Sequence, residues 1–600
     1  MLALDLSITH LHRQYRDGKL TPSTVVDHIL QRCQQFNDHN IWIQLLSRDE
    51  LMPFLDSLRE ASPDNLPLFG VPFAIKDNID LAGVPTTAAC PEFSYIPKQS
   101  AFVVQQLINA GAIPIGKTNM DQFATGLTGT RSPYGAVKNS INLDYISGGS
   151  SSGSAVATAL GLVTFALGTD TAGSVRVPAM FNNLIGVKPS CGTVSTRGVL
   201  PACRSIDCVS FFALNPDDAG RIFSIMSRYD EQDCYARKPR ADSDRIRANF
   251  RFGIVPEAQL QDNADSAVYG LMQRLTERLL ALGGTPVQID FTPFQQAARL
   301  LYEGPWVAER YTAIENLLTS SPTALHPVTR MIILGAEQFS AVDTFKAIYH
   351  LRELKLQADR IVAGLDFVVT PTASNIYTIK AVVAEPFALN SSLGYYTNFV
   401  NLLDYSAISI PAGQLSNGLP FGVTLFADRN RDAALIRMSE RILADSGLSP
   451  GATGFNWTAD SHSDDDIDND RVKLLICGVY LTGMPQNRQL LDLDAELLYS
   501  TTTAPCYRLY ALAGGPPFRP GLVRDIDNGV CIDVEVWSIP VTKLGIFLQA
   551  IPAPLGLGKV RLFDNTEVTG FICEPGVIST ATDITEYGGW LNYINTRNNN

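Results

Sequence analysis

Residues 451–470 (GATGFNWTADSHSDDDIDND) interrupt a 600-residue chain with a polar, acidic stretch that has no apolar period. Such a stretch suits a solvated linker. One hydrophobic core rarely serves 600 residues, so at least one domain is expected on each side of it. The boundaries read as 1–450, a linker 451–470, a second domain 471–595 and a frayed tail 596–600. Apolar residues make up 46% and charged residues 18%, a composition for folded protein rather than disorder. No apolar run reaches the roughly 18 residues of a membrane span, and the N-terminus lacks the basic and apolar regions of a signal peptide. Ten cysteines with no C-x-x-C pair read as reduced thiols in a cytoplasmic protein. The formal charge of −13 disfavours a nucleic-acid partner and means that an anionic substrate would need a local cation.

Before the linker, helical and extended patterns alternate. Thr21-Pro22 opens a helix as N-cap and first-turn proline, with Val25, Val26, Ile29 and Leu30 at helical spacing. Residues 101–110 form another, with Gly111 as its stop. Residues 345–363 read as a longer helix, followed by a strand over 367–369 and a stop at Pro371. This alternation predicts an α/β sheet with helices on both faces. After the linker, strands over 474–481, 507–512, 530–538 and 559–563 are separated by Gly-Pro turns, which predicts a small α+β or β-barrel domain.

Three Ser- or Gly-rich segments compete for the chemistry. Gly111 to Thr118 (GAIPIGKT) matches the Walker A expression, but it follows a helix, reads as extended, and loses an amide donor at Pro114. It is a chance match. Gly149 to Gly153 (GSSSG) fits G-x-S-x-G with Ser151 as nucleophile. That chemistry needs a downstream acid and histidine, and His326, His350 and His462 carry no motif around them. A Gly/Ser turn opening a helix over 155–160 is the better reading. The third is Gly168 to Ser174 (GTDTAGS), where successive amides at Thr171, Ala172, Gly173 and Ser174 form a nest for a developing oxyanion. Alone it is as often a structural or phosphate turn as a catalytic one. Lys76, closing the apolar segment Val71 to Lys76, either pairs with an acid such as Asp77 or is desolvated into a neutral base.

Together these segments resemble the amidase signature family. The block Gly148 to Ser174 looks like its defining Ser- and Gly-rich region, running on to Arg176, Pro178 and Gly186-Val187-Lys188-Pro189, and Val71 to Asp77 matches its V-P-x-x-I-K-D motif. Gly116 to Met120 also resembles the family, which accounts for the Walker A match. The resemblance implies a mixed central sheet flanked by helices, covering about residues 5–445. It implies no cofactor and no metal. Ser174 would be the nucleophile, with Ser150, after a cis peptide, relaying its proton to neutral Lys76. Thr171, Ala172 and Gly173 would supply oxyanion amides, and Asp170 and Arg176 would support the turn. Leu301 to Arg310, Thr502 to Tyr510 and Ile551 to Gly556 look like the allophanate hydrolase branch, whose small-molecule substrate is urea-1-carboxylate from biotin-dependent urea carboxylation. Tyr302, Arg310 and Gly126 would then bind substrate; otherwise Arg310 is a surface partner of Glu309 or Glu315. The resemblance also implies a homodimer. The second domain resembles a γ-glutamyl cyclotransferase-like fold, but Gly483 to Gln489 lacks the histidine of the related motif and residues 551–558 lack an acid, so no cyclotransferase activity is expected. The alternatives are another amidase signature hydrolase acting on a malonamate-like or amino-acid amide, the glutaminase component of a transamidation complex, or a non-catalytic binding subunit.

Overall fold

The computed structural model describes all residues except 1–3, 239–245, 247–248, 262–263, 445, 456–470, 515–517, 564–565 and 599–600. The chain divides into two compact units, Met1–Ala459 and Asp460–Asn600. Most of the acidic stretch, 456–470, lies outside the described residues. Its first residues belong to the larger unit: Gly451 and Ala452 donate their amides to Asn183 (2.7 Å) and Ala159 (2.8 Å) carbonyls.

The larger unit is built on an eleven-stranded mixed sheet. Its strands in chain order are β1 (Trp42–Leu45), β2 (Pro72–Lys76), β3 (Ile113–Thr118), β4 (Phe165–Asp170), β5 (Ile185–Lys188), β6 (Cys208–Ala213), β7 (Phe250–Ile254), β8 (Gly284–Gln288), β9 (Phe367–Pro371), β10 (Ser406–Gln414) and β11 (Pro420–Ala427). They lie in the order β1-β3-β2-β4-β6-β5-β10-β11-β9-β7-β8. Parallel pairings join β3 to β2 to β4 at one end and β9 to β7 to β8 at the other; the strands between are antiparallel. The mixed α/β sheet is the one the family resemblance implied. Strands β2 to β6 are buried along their whole length, so neither face carries the alternation of apolar and polar residues that marks a half-exposed strand.

Local signals account for the helix ends. Thr21 caps Pro22–Cys33 through a capping box with Thr24, and Gly111, at φ +97°, ends the turn after Phe102–Asn109. The long helix runs over Ala341–Val362 and is capped by Ser340. The GAIPIGKT segment is strand β3, not a phosphate loop: a Cβ on Gly116 would lie 2.4 Å from the Gln44 carbonyl, and Lys117 is buried 3.3 Å from Asp77.

The smaller unit holds a five-stranded and a three-stranded sheet around its own core, with helices Asn487–Leu491, Val541–Gln549 and Trp590–Asn598. The last helix covers residues 596–598, which the sequence marked as part of a frayed tail. Strands Glu496–Thr502, Pro520–Arg524 and Glu567–Cys573 had no clear signal in the sequence. Glu496–Thr502 is largely exposed, so no apolar face marks it.

Candidate active site

Strands β2 and β4 run parallel in register, Ile75 beside Leu167, so Lys76 and the Asp170 turn leave the sheet at the same carboxyl edge. This is where open α/β sheets bind ligands. Lys76 is fully buried, and its Nζ lies 2.7 Å from Ser150 Oγ, 2.9 Å from Thr169 Oγ1 and 3.4 Å from the Thr169 carbonyl. Asp77 is not its partner. Asp77 faces Lys117 and accepts hydrogen bonds from the Thr87 hydroxyl and amide. Burial lowers the Lys76 pKa to about 7; Asp121, Asp170 and Asp207 oppose the shift, and Arg310 adds to it.

Ser150 follows a cis Gly149-Ser150 peptide. There is no room for a side chain at Gly149, where a Cβ would lie 2.1 Å from Asp121 Oδ2. Asp121 accepts the amides of Thr128 (3.2 Å), Gly129 (2.9 Å) and Arg131 (2.9 Å), and donates its own amide to the Ser150 carbonyl. Helix Ser152–Ala159 starts directly afterwards. The Ser151 amide donates to the Ser174 carbonyl (3.2 Å), which joins the two serine motifs. The Ser151 hydroxyl donates to the Thr169 carbonyl (3.2 Å), a structural bond. Among the described residues no histidine hydrogen-bonds to Ser150, Ser151 or Ser174.

Ser174 lies on a turn tied down by Asp170. The Asp170 carboxylate accepts the amides of Gly173 (2.8 Å), Val175 (3.1 Å) and Arg176 (3.3 Å), and the Arg176 guanidinium at 3.1 and 2.9 Å. Burial works against this carboxylate, but the Arg176 charge and hydrogen bonds hold its pKa below the usual carboxylate range. Arg176 also reaches the Thr397 carbonyl, and Asn401 Nδ2 holds the Asp170 carbonyl (2.7 Å). Gly173 is at φ +121°, and a Cβ there would lie 2.4 Å from Thr397 Oγ1. Its amide, expected to face an oxyanion, donates here to the Asp170 carboxylate. The Thr171 hydroxyl donates to Asp207 (2.5 Å), itself held by the amides of Ala202 and Cys203.

Arg310 is 2% exposed and is not a surface partner of Glu309, whose carboxylate accepts from the Ser205 amide and hydroxyl. Its Nη1 donates to the Ala124 carbonyl and Thr125 Oγ1 (both 3.1 Å), and Nη2 reaches Tyr302 Oη at 3.5 Å. The guanidinium stacks 5.5 Å from the Tyr302 ring centroid. Its Nε has no hydrogen-bond partner, and among the described residues no carboxylate pairs with it. Gly126, beside Thr125, takes φ +150°, and a Cβ there would meet Asp121 Oδ2 at 2.9 Å.

Several supporting residues had no reading in the sequence. Thr169 sits inside the Gly/Ser block and Asp121 next to the Gly116 to Met120 segment, so both were adjacent to motifs. Asp207 and Thr397 arrive from distant loops and Asn401 from the short helix Phe399–Leu402, with no local pattern of their own.

Residues 24–436 match the Amidase family model, and residues 472–595 match that of the Allophanate hydrolase C-terminal domain. Urea amidolyase of Saccharomyces cerevisiae is 42% identical over 572 residues, covering 92% of this chain and 31% of that protein. The chain thus spans about a third of the length of such curated relatives. A glutamyl-tRNA(Gln) amidotransferase protein of Prochlorococcus marinus is 32% identical over 419 residues, covering 64% of this chain and 86% of that protein. A structure of Kluyveromyces lactis allophanate hydrolase superposes with a TM-score of 0.80 at 38% identity, covering 99% of each chain. The chain belongs to the amidase family and carries an allophanate hydrolase C-terminal domain.

Proposed function

We propose that this chain hydrolyses allophanate to ammonia and carbon dioxide or bicarbonate, within urea or s-triazine nitrogen catabolism. Ser174 Oγ attacks the amide carbonyl and forms an acyl-enzyme. Ser150 passes the proton to neutral Lys76 and then to the leaving nitrogen, after which water repeats the cycle in reverse. The 2.7 Å Lys76–Ser150 contact and the pKa of about 7 support that relay. Thr171 and Ala172 amides hold the oxyanion, with Gly173 anchoring the turn through Asp170. Asp170 and Arg176 fix the backbone of that turn.

Arg310 carries the substrate assignment. A charged guanidinium buried without a carboxylate is costly unless an anion arrives. Allophanate supplies one, and Tyr302 and the Gly126 turn shape the space around it. Charge-assisted hydrogen bonds contribute roughly 1.5–3 kcal/mol each. Arg310→Ala should therefore lower kcat/KM on allophanate by on the order of a hundredfold or more, at about 1.4 kcal/mol per decade. The loss should be much smaller on neutral biuret or malonamide. Equal losses on both would give Arg310 a purely structural role and remove the main support for allophanate.

A homodimer, a cytoplasmic location and functional coupling to a biotin-dependent urea carboxylase complete the reading. Coupling is supported by the relatives named urea amidolyase, which extend well beyond the matched region. The location is supported by ten unpaired cysteines. No helix among the described residues is long and apolar enough to cross a membrane.

A further inference from the structure

Lys188 closes β5 and is fully buried, yet among the described residues no carboxylate meets its ammonium group. Its hydrogen-bond partner is Cys208 Sγ at 3.7 Å. The two acids that feel its charge are already engaged: Asp170 with Arg176, and Asp432 with the Ser190 amide (2.8 Å) and hydroxyl (2.9 Å). Cys208 Sγ in turn lies 3.5 Å from Cys191 Sγ, with the Asn401 amide 3.6 Å away. A buried cation demands a nearby anion, and a thiol pair that gives up one proton is the group in place to supply it. We propose that Cys191 and Cys208 form a redox-active dithiol, with Lys188 against Cys208 and Cys208 donating to the Cys191 thiolate, which a hydroperoxide closes to a disulfide with loss of turnover.

The electrostatics agree with a shared proton. Hydrogen bonding from Cys208 holds the Cys191 pKa below the usual thiol value against burial, with Lys188 adding to it, while the same bond and burial push Cys208 up. Lys188 is held above its usual value by both thiols despite burial, with Arg176 opposing and Asp170 assisting. Asp404 and Arg237 also act on Cys191, with opposite signs.

The chemistry balances with a hydroperoxide as oxidant. The Cys191 thiolate attacks the outer peroxide oxygen, the O–O bond breaks, and a sulfenic acid and an alkoxide (hydroxide from hydrogen peroxide) form. Lys188 gives the alkoxide its proton and becomes a neutral amine. The Cys208 thiol then displaces water from the sulfenic acid, so two electrons have passed from the dithiol to the peroxide. The sulfurs close from 3.5 Å to about 2.05 Å. Cys208 thereby leaves Asn401, the side chain that holds the Asp170 and Ile206 carbonyls under the nucleophile turn.

The full chain is treated with hydrogen peroxide, alkylated, and mapped after trypsin. Cleavage at Arg197 and Arg204 puts Cys191, Cys203 and Cys208 in separate peptides. The expected result is a Cys191–Cys208 link, reversed by dithiothreitol, with ammonia release falling several-fold and returning on reduction. Cys191→Ser should keep its rate in peroxide. Lys188→Met should slow the link at least tenfold at neutral pH. Should Lys188→Met not fold, the pH dependence of linking in the native chain replaces it, with linking expected to persist below pH 8, where an ordinary thiol is protonated. Separate alkylation of both cysteines while exposed Cys234 is oxidised would overturn the dithiol, as would linking that follows an ordinary thiol pKa. A link without loss of turnover would overturn the coupling. The peptide map needs no activity, so failure of the allophanate reading leaves this test intact.

Discussion

Lys76, the proposed base, is held by neutral hydrogen-bonding groups, Ser150 and Thr169, instead of an ion pair. A base must be unprotonated, and burial brings this amine to about 7. kcat/KM should therefore be full at roughly one unit above that value and fall about tenfold per unit below it, read from an activity profile between pH 5 and 9. Asp207 holds the Lys76 pKa up, so Asp207→Asn should move the acid limb to lower pH. Lys76→Arg retains a charge that cannot titrate and should be as inactive as Lys76→Ala. Ser174→Ala should abolish turnover, whereas Ser151→Ala removes only the bond to the Thr169 carbonyl and should leave a measurable rate. A reversal of these two would return the nucleophile to Ser151. At this scale the sequence singled out Lys76, Ser150, Ser174 and Arg310 by motif. It did not show that Asp77 faces Lys117, or that Asp170 engages the Gly173 amide, because both depend on which way a buried group turns.

Among the elements, helix Ser152–Ala159 gives the sharpest test. Gly→Ala within a helix ordinarily stabilises by up to about 1 kcal/mol. At Gly153 the new Cβ would lie 2.3 Å from the Ile41 carbonyl and 2.8 Å from the Asn119 amide, and neither backbone group can swing aside. Gly153→Ala should instead destabilise by at least about 1–3 kcal/mol, seen as a lower midpoint in urea or thermal unfolding. A neutral or stabilising result would mean that the helix does not press on the Ile41 segment. The Asp170–Arg176 pair is likewise sealed from water, so Asp170→Asn should cost about 3–5 kcal/mol, because it strands the Arg176 charge. The helix capped at Thr21 was legible with its start, whereas the long helix was read from residue 345 and in fact begins at Ala341, behind the Ser340 cap. Short strands such as Glu496–Thr502 were not, since an exposed strand leaves no apolar alternation to read.

Over the whole molecule, each unit closes its own core: strands β2 to β6 and their helices in the larger one, and a separate cluster around Trp537, Tyr507 and Trp590 in the smaller. A chain ending at residue 455 should therefore fold and release ammonia from its substrate. A chain ending at 450 should be less stable, because it loses the Gly451 and Ala452 bonds to Asn183 and Ala159. Thermal unfolding of the two truncations decides this; identical midpoints would show those bonds to be dispensable. The sequence by itself determined the α/β class and the family, and it pointed to Lys76, Ser150 and Ser174 as the proposed triad, because small residues, glycine turns and a lysine in an apolar strand are local requirements of the proposed chemistry. Only the tertiary structure decided what surrounds them. The Asp207 brace on Thr171, the Asn401 grip on Asp170, and the settings of Arg310 and Lys188, where no described carboxylate pairs with either cation, join residues far apart in the chain. Such contacts are set by sheet order and burial, and no local pattern encodes them.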